Sequence, residues 1–237
     1  VSVAASGQLD FRYVNVEQTM TLSAWVPDPS IIDYNSPNLQ QIGSTLSVGQ
    51  DESSVAINSD GTRIAYSVYN GHLGGVVTPG YIKIYERDPN NGSGWRQLGT
   101  DTQIMGGADE KIGRNWVGFT RDGNYVAAVD PGTSGQYGNE GHMYVFGYNA
   151  ANDAWSSLGY IGGGGVTSYY MQISGNDIIN HSTLGLIAVV SQGIGRLRGY
   201  RKNGSSWVDL GSITSTNVRY TISALAEYST SGIMVAY

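Results

Sequence analysis

Not one of the 237 residues is a cysteine. That absence removes disulfide staples, thiolate metal sites and thiol nucleophiles together, and it leaves the redox compartment open. Charge is scarce as well. Asp, Glu, Lys and Arg make up 14% of the chain, against about 25% in ordinary globular sequences, which argues against a coiled coil or a solvated disordered chain. Thirteen basic residues face 19 acidic ones, for a net charge of −6. An acidic chain repels phosphate backbones and anionic lipid, so no nucleic-acid partner is expected. No apolar run approaches the ~18 residues of a spanning helix, and no membrane insertion is expected. The three histidines, His72, His142 and His181, fall in a loop, a strand and a hairpin of different repeat units. A histidine metal centre or a nucleophile–histidine relay is therefore not expected, and no metal or cofactor is predicted. Val1 is not an initiator methionine, so the chain reads as a mature or trimmed product.

What the sequence does contain is glycine, 34 residues of it, with 17 tyrosines and a 40% hydrophobic share large enough for a core. Both are distributed in a repeat. Trp95-Arg-Gln-Leu-Gly99, Trp155-Ser-Ser-Leu-Gly159 and Trp207-Val-Asp-Leu-Gly211 share W-x-x-L-G, and Leu39-Gln-Gln-Ile-Gly43 is the same element with Leu for Trp. The intervals are 56, 60 and 52 residues. Before each tryptophan comes a glycine followed by alternating apolar residues, from Gly80, Gly141 and Gly195; period-two alternation bounded by glycine predicts a strand. Earlier in the first two units lies a hairpin, Ser54 to Tyr66 and Trp116 to Ala128, turning at Asp60-Gly61 and Asp122-Gly123. Glycine there supplies the positive φ of a tight turn between strands. In the third unit the corresponding strands are expected at Tyr169 to Ser174 and Leu184 to Val190, linked through Asn176 and Asp177.

Four antiparallel strands per repeat make a propeller blade. The expected fold is all-β, a single β-propeller domain over 1–237, with blade units at about 53–99, 115–159, 169–211, and 219–237 plus 7–43. The ends of the chain complement each other: Arg219 to Ser223 and Gly232 to Tyr237 match the first two strands of a blade, and Gly7 to Tyr13 with Leu39 to Gly43 match the last two. Joined, they give a closed ring of four blades with no open sheet edge; a segment of a larger assembly is the alternative. Residues 14–38 form an insertion in the closing blade.

The motifs resemble a family. The succession D-x-x-[IF]-G, S-x-D-G-x-x-[IV]-A, G-x-[IV]-x-[VI]-Y and W-x-x-L-G looks like the propeller repeats of large algal and bacterial surface proteins, with Asp109-Glu-Lys-Ile-Gly113 carrying the first element and Asp51 in the similar place one unit earlier. The hairpins also resemble TolB-type repeats and, more distantly, the FG-GAP repeats of integrins. Since D-x-D-x-D-G is absent from every unit, the resemblance carries over no calcium site. It implies fold far more than function.

A fold of this kind leaves function to the residues its loops carry. Opposite the Asp-Gly hairpins, the long links bring Tyr69, Asn70 and His72, then Asp130, Tyr137, Asn139 and Glu140, together with Asp51, Glu52, Asp101, Asp109, Glu110 and Tyr160 from the connectors. Tyrosine rings stack on sugar faces while amides and acids pair with hydroxyls, so Tyr69, Asn70, His72, Asp109, Tyr137, Asn139 and Tyr160 are the candidate ligand contacts, weighed against the simpler reading of polar residues on glycine-rich turns. Trp95, Trp155 and Trp207 are expected to pack between blades. Trp25, in the insertion, is a plug over the ring or a partner contact. Asn91-Gly-Ser93, Asn180-His-Ser182 and Asn203-Gly-Ser205 are glycosylation sequons that turn chemistry explains as well. With no catalytic group assembled, the expected function is a non-enzymatic binding or adhesion module, extracellular or on a particle surface, whose partner is a glycan or a protein surface. A structural assembly component, such as a virion or filament subunit, is the alternative; a glycan-active enzyme comes third.

Overall fold

The computed structural model describes residues 2–3, 9–10, 44, 46, 52–68, 71–73, 76–100, 104, 112–114, 116–130, 141–162, 177–192, 196–214, 224–229 and 232–236. Where the sequence reads as one domain, the chain divides into two compact units, Val1–Ile42 with Ala236, and Gly43–Val235 with Tyr237. In the first, β1 (Ser2–Val3) and β2 (Leu9–Asp10) form a short antiparallel pair.

The second unit is built from antiparallel sheets. Its chain runs through β3 (Glu52–Ile57), β4 (Arg63–Val68), β5 (Gly71–Leu73), β6 (Val76–Thr78), β7 (Tyr81–Arg87) and β8 (Trp95–Gln97). The order β3-β4-β7-β8 makes one four-stranded sheet, and β5 with β6 makes a small hairpin inside the link from β4 to β7. A second sheet follows from β9 (Trp116–Phe119), β10 (Tyr125–Asp130), β11 (His142–Asn149) and β12 (Ala154–Gly162). The third consists of β13 (Asp177–His181), β14 (Gly185–Gln192), β15 (Arg196–Asn203) and β16 (Ser206–Thr214). Finally β17 (Ala224–Ser229) and β18 (Gly232–Ala236) form a two-stranded sheet. No helix occurs among the described residues.

In each four-stranded sheet the hairpin between the first and second strand is closed by a buried polar side chain. Asn58 Oδ1 accepts from Arg63 N at 2.8 Å, and Thr120 Oγ1 accepts from Tyr125 N at 3.1 Å. Gly61 and Gly123 take φ of 72° and 68°, the positive values expected of the two Asp-Gly turns. The third hairpin departs from expectation. Its first strand begins at Asp177, which was expected in the link, and residues 169–174 lie outside the described residues. The turn needs no Asp-Gly because His181 Nδ1 accepts from both Thr183 N and Leu184 N at 3.1 Å. The last strand pair is described from Ala224 onward; the strand expected at 219–223 lies outside the described residues, as do 39–43 and the 14–38 insertion.

The repeated Leu-Gly also has a local cause. Tyr144 pairs with Tyr160 but Phe146 with Ser157, so Leu158 and Gly159 together oppose one residue of β11. The third sheet repeats this bulge at Leu210-Gly211. Gly159 and Gly211 have φ of 88° and 107°, a backbone that disfavours any side chain, which is why the motif ends in glycine.

The sheets pack face to face through two cores. Val126 and Ala128 of β10 turn toward the first sheet, joining Ala65, Ile82, Ile84 and Phe146. Ala127 and Val129 turn toward the third, joining Met143, Val145, Ile178 and Ala188. Trp155 is buried in the first core and Trp207 packs against the second, so these two repeated tryptophans lie between adjacent sheets.

Candidate functional site

Of the candidate ligand contacts, Tyr69, Asn70, Asp109, Tyr137 and Asn139 lie outside the described residues, as does Trp25. The backbone of His72 is placed in β5, opposite Val77. Tyr160 alone is placed with its side chain, and it has company that sequence reading missed.

On β11, His142 and Tyr144 share one face because side chains alternate along a strand. Opposite them on β12 stand Gly162 and Tyr160 respectively. Without the bulge, Ile161 would take that face; the extra residue at Leu158-Gly159 shifts the alternation and turns Tyr160 to it, sending Ile161 into the second core. The rings then meet. His142 lies 4.8 Å from Tyr160 in a T-shaped arrangement, and 5.8 Å from Tyr144; the two tyrosines are 5.9 Å apart. Tyr160 remains 57% exposed. At Gly162 a Cβ would touch both rings, at 3.7 Å from His142 Cδ2 and 3.7 Å from Tyr160 Cε2. Tyr144 anchors the group by packing on the core between the first and second sheets. The result is an aromatic corner of one exposed phenol, Tyr160, beside the half-buried rings of His142 and Tyr144. Such a surface can stack on a flat or puckered ring and hydrogen-bond its substituents.

A second constellation lies at the hairpin ends and joins the first two sheets. Arg63 binds Glu86 through Nε at 3.1 Å and Nη2 at 2.9 Å, while its Nη1 donates to Gly123 O at 2.9 Å and Asn124 Oδ1 at 3.0 Å. Its guanidinium also lies 5.1 Å from the centre of the Tyr148 ring. Arg96 bridges Glu86 at 3.0 Å and Asp153 at 3.2 Å. Asp153 accepts from the Tyr148 hydroxyl at 2.5 Å and from Gly99 N at 3.2 Å. The Tyr148 bond, with help from Gly99 and Arg96, holds the Asp153 carboxyl below its ordinary range; burial and the same bond push the Tyr148 phenol up. Asp122 works against its own burial, held low by bonds from Thr120, Asn124 and Asn180 of the third sheet. Every one of these acids is engaged, so the cluster is a clasp between sheets. The bonds that cross between the sheets have no signal in the sequence, because Arg63 and Gly123 stand 60 residues apart and Arg96 and Asp153 stand 57 apart, in different units. Among the described residues, no group of three or more His, Asp or Glu side chains gathers where it would hold a metal ion.

No family model matches the chain, and no curated protein matches it. Among solved structures it is similar to Sqt1 of Saccharomyces cerevisiae, with a TM-score of 0.53 at 10% identity, over 83% of this chain and 45% of that one. The fold is propeller-like. A protein of Bacteroides fragilis described as a 6-phosphogluconolactonase gives a TM-score of 0.47 at 11% identity, over 81% of this chain and 44% of that one. The periplasmic gluconolactonase PpgL of Pseudomonas aeruginosa gives 0.38 at 10% identity, over 80% of this chain and 66% of that one. The chain thus spans less than half the length of the first two, and the likeness concerns the propeller-like fold alone. It corrects one expectation. The expected non-enzymatic binding or adhesion module is withdrawn: the structures the chain is similar to include proteins named as lactonases, at identities that speak of fold and not of function.

Proposed function

We propose that the chain engages a small polyhydroxylated ring, a sugar or a sugar-derived acid, at the corner formed by His142, Tyr144 and Tyr160. The observation that carries this reading is the half-exposed Tyr160 ring held edge-on by His142 beside a residue without a side chain. A ring that stacks there is equally a ligand or a substrate. Tyr69, Asn70, His72, Asp109, Tyr137 and Asn139 are proposed to extend the contact surface, and Trp25 to meet a partner. Saturation-transfer NMR against a panel of monosaccharides, oligosaccharides, aldonic acids and their lactones tests the reading, with the same spectra reporting any turnover. Tyr160→Ala should weaken the bound member about three- to tenfold, the worth of one aromatic contact, whereas Val208→Ala, on the exposed edge of the third sheet, should not. If no panel member binds, or if Tyr160→Ala binds as well as the parent, the reading is wrong.

The scaffold proposed for this site is a ring of four blades, with β17 and β18 as the first two strands of the fourth and the segment 7–43 supplying the rest. Support comes from the outer flank of the first sheet. Ala56 faces the second sheet, so its neighbours Val55 and Ile57 point the other way, and they are 75% and 63% exposed. That is the flank a further blade would cover. A chain of this composition is proposed to act outside the cell or on a particle surface.

A further inference from the structure

We infer that Asn91 is a site of spontaneous modification, losing its side-chain amide through a succinimide and becoming an aspartyl or isoaspartyl residue. The chain offers an internal comparison, since the tripeptide Asn-Gly-Ser occurs twice, at 91–93 and at 203–205, in different backbone settings.

Asn91 sits in the turn between β7 and β8 and is exposed. Its Oδ1 accepts from Ser93 N at 3.1 Å and from Ser93 Oγ at 3.0 Å. The hydroxyl divides its one proton between Asn91 Oδ1 and Trp95 O, which lies at 2.8 Å. The Ser93 N–H, with a share of the Ser93 hydroxyl proton, draws electron density from the amide carbon and stands where negative charge develops when that carbon is attacked. The attacking atom is the next backbone nitrogen, Gly92 N. No side chain shields it, and the space around Gly92 is open, with nothing within 4 Å of a Cβ position. In the reaction the Gly92 N–Asn91 Cγ bond forms and the Cγ–Nδ2 bond breaks. Ammonia leaves with the proton given up by Gly92 N. Water then opens the imide at either carbonyl, giving Asp or isoAsp. Nothing is oxidised or reduced, and water is the co-reactant.

Asn203 lacks these aids. It is paired with Ser206 at the end of the β15–β16 ladder, so its backbone is held extended against the rotation that ring closure needs. Gly204 and Ser205 form the two-residue turn, with Gly204 at φ 55° and Ser205 O held by Lys202 Nζ at 3.0 Å. No donor to Asn203 Oδ1 occurs among the described residues. Modification at Asn91 has a structural reach that Asn203 does not share. Ser93 O accepts from Ser44 N at 2.7 Å, and an isoaspartyl link adds a backbone carbon to the turn, so the rearrangement loosens the hold on Ser44.

The test is peptide mapping by mass spectrometry of the whole folded chain during incubation in mildly alkaline buffer, with the chain in denaturant as reference. Asn91 should convert about tenfold faster than Asn203 when folded, well short of the ~10²–10³ that one buried oxyanion donor supplies. In denaturant the two identical tripeptides should convert at similar rates. Ser93→Ala should bring Asn91 down toward Asn203. Equal rates in the folded chain, a faster Asn203, or a Ser93→Ala chain that keeps the fast phase would each overturn the inference. The folded and denatured comparison needs no variant, so it stands if Ser93→Ala disturbs the hairpin.

Discussion

Replacing Gly123 by alanine and, separately, Gly61 by alanine separates two costs that the Asp-Gly turns otherwise combine. Both glycines have nearly the same left-handed backbone, φ 68° and 72°. A side chain in that conformation costs about 1–2 kcal/mol at either position. The surroundings differ. A Cβ on Gly61 would find its nearest atom, Ile57 Cδ1, at 3.9 Å, an ordinary contact. On Gly123 it would stand 2.8 Å from Asn58 Nδ2, 3.0 Å from Arg63 Cδ and 3.3 Å from Asn58 Cβ. Those neighbours belong to the adjacent sheet and have little room to yield. Asn58 is buried and bonded at both ends of its amide, to Arg63 N at 2.8 Å and Thr62 Oγ1 at 3.2 Å, and Arg63 is tied to Glu86. Forcing a methyl into such a contact adds about 1–3 kcal/mol. Gly61→Ala should therefore cost about 1–2 kcal/mol, and Gly123→Ala about 2–5 kcal/mol. Urea unfolding followed by tryptophan fluorescence reads both, with unchanged slope as the check that only stability moved; each kcal/mol corresponds to about 2–4 °C in Tm for a chain of this size. Equal destabilisation by the two substitutions, to within ~0.5 kcal/mol, would refute close packing between the hairpin tips.

Arg63→Met keeps the bulk of the side chain but removes its bonds to Glu86, Gly123 O and Asn124 Oδ1, and should destabilise by about 2–3 kcal/mol in the same unfolding assay; a loss under ~0.5 kcal/mol would show that the clasp is ornamental. Asp177 accepts from Ile178 N at 2.8 Å and Leu225 N at 2.6 Å, yet burial pushes its pKa above the ordinary 3.8. With the folded value above the unfolded one, its contribution is fullest below the unfolded pKa and falls away as pH rises through the folded value. The stability of Asp177→Asn relative to the parent should therefore improve as pH is raised from acid toward neutral, and a pH-independent difference between the two would sink that assignment.

The sequence disclosed those parts of the fold whose cause is local. Asp60-Gly61 and Asp122-Gly123 announce turns because only glycine rests easily at positive φ, and the W-x-x-L-G repeat marks a strand whose Leu-Gly is a bulge in the second and third sheets. His181 was harder to read, since a histidine that caps a turn with Nδ1 looks like any other polar residue beside Ser182. For the aromatic corner the difficulty was arithmetic. Simple alternation from Trp155 places Ser157, Gly159 and Ile161 together, and only the one-residue slip at the bulge exchanges Ile161 for Tyr160. His142 and Tyr144 were visibly on one strand face, but nothing in the spacing says which residue of β12 will stand opposite. Within the clasp, Arg63, Glu86 and Arg96 are cross-strand neighbours of one sheet, but the bonds from Arg63 to Gly123 and Asn124 and from Arg96 to Asp153 left no trace, because they exist only once the first two sheets are stacked.

The two-sided burial of β10 bears on how the molecule comes apart. Val126 through Val129 are buried without interruption, alternate residues serving opposite neighbours. A strand of this kind cannot loosen into water on one side while staying packed on the other, so the middle sheet is released only when both flanking sheets let go. Among the three four-stranded sheets, coupled to nearest neighbours, that ties the opening of the middle one to the release of both its neighbours. Amide hydrogens of β10 then report the opening of the whole stack, whereas those of β3 and β16, each at an outer edge of its sheet, report only local fraying.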